Sequence, residues 1–134
     1  MGEQTTTAYR ILVVDDEATV VEMLATVLEA HGFAVVSASD GAEAVNRFDE
    51  TSDDFDCIIT DLQMPHMDGF ALEEYVHTAH QARPMIAISG NLATDHNLIR
   101  AKDRFDAVLA KPFSISDLIT VIKQVLDGHA EQGK

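Results

Sequence analysis

The sequence holds a single cysteine, Cys57, so no disulfide within the chain can staple the fold. None is required. A chain of 134 residues with 46% hydrophobic content buries about two-thirds of its unfolded surface on folding. Cys57 lies in the apolar run Asp56-Cys57-Ile58-Ile59, with neither a cation nor a helix start beside it. It reads as a packed core thiol rather than a reactive one, and such sparing cysteine use suits a reducing compartment. Long hydrophobic runs are also missing. No stretch approaches the ~20 apolar residues of a membrane helix, and Met1 to Thr7 lack the apolar centre of a signal peptide. The expectation is a soluble, cytoplasmic protein without a membrane partner. Basic residues are scarce, with 9 Lys and Arg against 23 Asp and Glu and a net charge of −14. Such a surface repels phosphate backbones, which argues against direct nucleic-acid binding. The acids either serve solubility or gather around a cation, and composition does not choose between these.

What is present is an alternation of short apolar runs and helical stripes. Tyr9 to Val14 is an apolar, β-branched run ending in Asp15-Asp16, which suggests a strand buried on both faces. Val20, Val21, Leu24, Val27 and Leu28 then form one helical stripe, closed by Gly32. Ala34 to Ala38 is a second strand, and Ala42, Val45 and Phe48 open a second helix. Phe55 to Thr60 is a third strand ending at Asp61, and Leu62 to Gly69 is a loop. Phe70 to His80 is a helix with Leu72, Tyr75, Val76 and Ala79 inward, and Met85 to Ser89 is a fourth strand. The helix over Ala93 to Asp103 has only Leu98 and Ile99 as strong anchors. Ala107 to Ala110 is a fifth strand, stopped by Pro112. Ser114 to Asp117 has capping-box spacing, and Ile115, Leu118, Ile119, Ile122, Val125 and Leu126 form a last helix ended by Gly128. Length fits one domain, and the alternation implies an α/β fold with a parallel sheet covered on both sides.

Polar residues stand where these strands end. The first strand runs into Asp15-Asp16, the third into Asp61, the fourth into Ser89, and Lys111 follows the fifth. In an open parallel sheet all carboxyl ends share one edge, and ligands bind in the crevice there. Three carboxylates held together repel one another unless a cation sits among them. Hard oxygen ligands with water suit Mg²⁺. An ammonium and a hydroxyl suit an anionic, oxygen-rich group such as phosphoryl, and Asp61 is the best candidate nucleophile. Singly, each residue has a plainer reading. Asp15 or Asp16 could cap the first helix, Ser89 could be a turn hydroxyl, and Lys111 a solvated charge.

Four blocks in order carry a family resemblance. They are Ile11-Leu12-Val13-Val14-Asp15-Asp16-Glu17, Asp61-Leu62-Gln63-Met64-Pro65-His66-Met67-Asp68-Gly69, Ile88-Ser89-Gly90 and Lys111-Pro112-Phe113. From about Arg10 to Leu126 the chain resembles the receiver domain of two-component response regulators. The resemblance implies a flavodoxin-like, doubly wound (βα)5 fold with strand order 2-1-3-4-5. Residues 1–8 read as a flexible tail, with the receiver domain over 9–128 and a second, polar tail over 129–134. The resemblance also implies that Asp61 is the phosphoacceptor, Ser89 the switch hydroxyl and Lys111 the phosphate-contacting lysine, with a cis Lys111–Pro112 peptide. Mg²⁺ or Mn²⁺ would be held by Asp16, Asp61 and the main-chain carbonyl of Gln63, with Asp15 acting through water. The implied donor is a phosphohistidine on a histidine kinase or a histidine phosphotransfer protein. A downstream effector would read the face formed by the fourth helix, fifth strand and fifth helix. The protein would be a monomer or a phosphorylation-dependent dimer.

The sequence departs from the family at Val108, three residues before the lysine, where many receivers carry Tyr or Phe. Lys102 to Asp106 also lacks the common Gly-Ala. Gln63 and Asn91 occupy positions that tune phosphoryl lifetime in the family. His77 and His80, with Glu73 and Glu74 nearby, read as a surface face, because a zinc site needs three or four ligands. His66 lies beside the site at a variable position, Met64 and Met67 read as packing under the loop, and Asp68-Gly69 reads as a helix entry.

Three other identities compete with a stand-alone receiver. A receiver excised from a hybrid kinase or a multidomain regulator fits the same motifs. A Mg-dependent phosphatase would place a second Asp where Gln63 stands. A flavodoxin would need a hydroxyl-rich phosphate loop after the first strand, where Asp15-Asp16-Glu17 repels phosphate.

Overall fold

A computed structural model describes residues 9–51, 55–64, 67–79, 83–90 and 95–132. Five strands alternate with five helices: β1 (Arg10–Val14), α1 (Ala18–Ala30), β2 (Ala34–Ala38), α2 (Gly41–Thr51), β3 (Cys57–Asp61), α3 (Gly69–Ala79), β4 (Met85–Ser89), α4 (Asp95–Arg104), β5 (Ala107–Ala110) and α5 (Ile115–Gln132). The strands form one parallel sheet in the order β2-β1-β3-β4-β5. This is the order 2-1-3-4-5 that the family resemblance implies.

Alternation along the strands divides the core into two layers. Ile11, Val13, Cys57, Ile59, Ile86 and Ile88 point toward α1 and α5, meeting Leu24, Leu28, Leu118, Ile122 and Leu126. Leu12, Val14, Ile58, Met85 and Ala87 point the other way, toward Phe48 of α2, Leu72 and Val76 of α3, and Ala101 of α4. The two central strands β3 and β4 are buried at every position, while the edge strands β2 and β5 are partly exposed. Cys57 is a buried free thiol, and burial in its apolar layer pushes the thiol well above its usual pKa.

Helix ends follow local chemistry. Gly32 takes φ of 91° just past α1, the left-handed position that favours glycine. The Asp117 amide donates to Ser114 Oγ at 3.0 Å, and the Ala71 amide donates to Asp68 Oδ1 at 2.9 Å. Two helices depart from the sequence reading. Helix α5 does not stop at Gly128 but continues to Gln132, into the segment expected as a tail. Gly128 lacks the positive φ that ends α1, and a single helical glycine costs only about 1 kcal/mol against alanine. On α4, Ile99 is 68% exposed rather than inward. Buried Ala101 and Phe105 with half-buried Leu98 form the inward stripe, and Ile99 lies off it. The expected tail over residues 1–8 lies outside the described residues.

Gly69 marks a contact where backbone meets backbone. A Cβ there would lie 2.5 Å from the carbonyl oxygen of Asp61 and 2.9 Å from Leu62 Cα. Gly128 has nothing within 4 Å of such a carbon. The same substitution should therefore act in opposite senses. Gly69→Ala is expected to lower stability by about 1–3 kcal/mol, the usual cost of overpacking. Gly128→Ala is expected to raise it by about 0.5–1 kcal/mol. Urea denaturation midpoints of the two variants check both signs.

Candidate functional site

The parallel sheet brings the carboxyl ends of β1, β3, β4 and β5 to one edge. Asp15 is fully buried, Asp61 is 6% exposed, and Asp16 faces solvent. One carboxylate oxygen from each of these three residues lies within 4.8 Å of the others. Lys111 reaches into the cluster from the loop after β5, and its peptide bond to Pro112 is cis. Its Nζ donates to Asp15 Oδ2 at 2.9 Å and to Asp61 Oδ2 at 3.4 Å. The Lys111 main-chain amide donates to the Ser89 carbonyl at 2.9 Å, which ties that loop to β4.

Asp15 does not cap α1. Its Oδ1 accepts from the Glu17 amide at 2.9 Å, while Glu17 occupies the cap position without a side-chain cap bond. Gln63 is held to the cluster through its main-chain amide, which donates to Asp61 Oδ1 at 3.2 Å. Ser89 is buried at the end of β4, one residue past Ile88, which pairs with Asp61 across the sheet. The geometry thus gathers Asp15, Asp16, Asp61 and Lys111, with Ser89 on the neighbouring strand. Glu17 is an addition: its Oε1 accepts from Lys111 Nζ at 3.2 Å. The sequence carried the signal for this, since Glu17 directly follows the paired aspartates.

Electrostatics follow from burial and neighbours. Burial lifts the Asp61 carboxyl above the usual aspartate value, and the Asp15 charge adds to the rise. The Gln63 amide and Lys111 oppose this only in part. For Lys111 burial acts downward, but the hydrogen bond and charge of Asp15, with Asp61 and Glu17, lift it above the usual lysine value. It is therefore an ammonium at neutral pH. One ammonium against the cluster of Asp15, Asp16, Asp61 and Glu17 leaves the edge strongly negative. That donor set, all hard oxygen, fits a small divalent cation.

Several neighbouring assignments now have a place. Met64 and Met67 are partly buried against the core. Val108 is half-buried, pairs with Ala87 and packs in the layer that holds Ala101 and Phe105. His77 is exposed, as a surface face would have it. Glu73, however, is only 2% exposed, because Arg104 of α4 covers it at 2.5 Å and His77 Nδ1 meets its other oxygen. His66, His80 and Asn91 lie outside the described residues.

Comparison with known proteins agrees with this fold. The family described as response regulator receiver domain matches residues 11–123. The chain is 32% identical over 117 residues to the transcriptional regulatory protein PrrA of Mycobacterium leprae, covering 87% of this chain and 49% of that protein. It is 30% identical over 122 residues to the sensor histidine kinase RcsC of Escherichia coli, covering 91% of this chain and 12% of that protein. The chain thus spans about half the length, or less, of these two curated relatives. Among solved structures, a CheY-like response regulator receiver domain protein from Methanospirillum hungatei superposes with a TM-score of 0.86 at 27% identity, over 94% of this chain and 99% of that one. A receiver domain protein from Clostridium thermocellum gives 0.84 at 27% identity, over 92% and 98%. With sequence and fold matched over nearly the same span, the chain belongs to the response regulator receiver domain family.

Proposed function

We propose that Asp61 is the residue of this receiver that accepts a phosphoryl group. The observation that carries the reading is the shared ammonium. Lys111 Nζ lies within 3.4 Å of Asp61 Oδ2 while also holding the buried Asp15 at 2.9 Å. A carboxylate oxygen of Asp61 attacks phosphorus on a phosphohistidine, the N–P bond breaks, and the imidazole leaves. The partner supplying it is a histidine kinase or a histidine phosphotransfer protein. Lys111 turns part of its charge from Asp15 and Glu17 to the arriving phosphoryl oxygens. The Ser89 hydroxyl is the group that follows the new anion. An effector then reads the face of α4, β5 and α5.

Asp15, Asp16 and Asp61, with the main-chain carbonyl of Gln63, are the groups that would hold Mg²⁺ or Mn²⁺. When bound, the ion supplies positive charge against the phosphoryl oxygens. Asp15 and Asp61 are buried and held by named hydrogen bonds, whereas Asp16 is exposed. Asp16 is therefore the ligand that contributes to ion binding with least part in the apoprotein fold.

Incubation with acetyl phosphate and Mg²⁺ should add one phosphoryl group by intact mass, and Asp61→Asn should abolish the gain. A folded wild-type protein that gains nothing would overturn the reading. Mg²⁺ at a hundredfold excess over its dissociation constant should stabilise the wild type by about 2.7 kcal/mol. Asp16→Asn should remove most of that gain, as read by thermal melting.

The pH dependence has a definite sign. Asp61 holds its proton more tightly folded than unfolded. Its contribution to stability is thus full below the ordinary aspartate value and is lost as pH rises through its folded value. Without metal at neutral pH, Asp61→Asn should melt above the wild type, with the gap closing on acidification. Mg²⁺ should raise the wild-type melting temperature and leave that of the variant nearly unchanged.

A further inference from the structure

Helix α4 is fastened to α3 by two arginines one turn apart. The Arg100 guanidinium lies 3.9 Å over the ring of Phe70. Arg104, four residues on, meets the carboxylate of Glu73, three residues after Phe70, at 2.5 Å. Phe70 is itself buried and stands edge-on to Phe105, just past the end of α4, with ring centroids 5.8 Å apart. His77 holds the second oxygen of Glu73 from within α3.

The same stretch of α3 is pressed against the phosphoacceptor strand. The Gly69 amide donates to the Leu62 carbonyl at 3.0 Å, and Gly69 leaves no room for even a methyl group against the Asp61 carbonyl. Close-packed backbone transmits displacement rather than absorbing it. A shift in the Asp61–Leu62 main chain therefore moves the first turn of α3, with Phe70 in it. Strand β5 offers no comparable route through a swinging ring, since Val108 is a branched aliphatic side chain packed in the core layer.

We propose that this seam, Phe70 and Glu73 on α3 gripped by Arg100 and Arg104 on α4, transmits the state of Asp61 to α4. The four are positioning residues, and the inference rests on Asp61 being the site that changes state. The physical reason is the cost of leaving Glu73 alone. A carboxylate 2% exposed is strongly disfavoured once its counter-charge departs. The end of α4 therefore keeps to discrete positions in which Arg104 covers Glu73, and it travels with α3 instead of drifting free of it.

Hydrogen exchange of peptides over α4 tests this, with two perturbations applied from the site side. One is acetyl phosphate with Mg²⁺, its success read by intact mass. The other is Asp61→Asn. Each should change α4 exchange severalfold in the otherwise wild-type protein. In Arg100→Gln/Arg104→Gln the phosphoryl gain should persist within about twofold, while the α4 response to both perturbations falls at least tenfold. Arg100 is exposed and Arg104 half-buried, and a melting curve checks that the variant folds. An α4 response surviving undiminished in the double variant overturns the seam, as does a phosphorylated wild type with unchanged α4 exchange. Absence of any phosphoryl gain instead strikes the assignment of Asp61. The seam is then decided by Asp61→Asn, whose effect on α4 must vanish when the arginines are replaced.

Discussion

The ammonium of Lys111 is the contact on which the site depends. Asp15 and Asp61 are drawn to one edge by the sheet, and both are buried. Two desolvated carboxylates side by side repel each other, and the sheet gives them no means of moving apart. Lys111 bridges them from a third strand end, and Glu17 fastens the lysine from the solvent side. The bridge is incomplete by design of its geometry: Asp61 still holds its proton more tightly than an ordinary aspartate. The apoprotein edge thus gains from added positive charge.

The rest of the fold serves to hold this edge still. Strands β3 and β4 are buried at all positions, so Asp61 and Ser89 project from the most constrained part of the molecule. The helices differ in how they are tied to it. Helices α1 and α5 meet the sheet through a continuous aliphatic layer. Among the described residues, α4 instead turns Leu98, Ala101 and the neighbouring Phe105 inward, with two arginines reaching across to α3. Among its described residues, α4 thus places few buried apolar side chains against the sheet.

Most of the architecture was legible in the residue pattern because burial on both faces makes central strands read as unbroken apolar runs. Met85 to Ser89 has the bounds expected of it, as do the edge strands Ala34 to Ala38 and Ala107 to Ala110, whereas the third strand, expected over Phe55 to Thr60, runs over Cys57–Asp61. The errors fall where the local signal was ambiguous. Gly128 resembles a stop, but glycine ends a helix only where the chain takes a positive φ, as at Gly32. Ile99 resembles a core anchor, yet the phase of α4 is set by Ala101, Phe105 and the Arg104–Glu73 pair. Glu73 reads as a surface acid because nothing within its own helix announces that another helix will cover it.

By itself, the sequence determined the alternation of strands and helices, and the acidic, hydroxyl and ammonium groups placed at strand ends. These are local properties, set by hydrophobic period and by residue identity. Only the tertiary structure decided that Lys111 is shared among Asp15, Asp61 and Glu17, that Gly69 abuts the Asp61 carbonyl, and that Glu73 is buried beneath Arg104. Such facts depend on distances between residues far apart along the chain. Those distances exist only once the sheet has fixed which strands are neighbours.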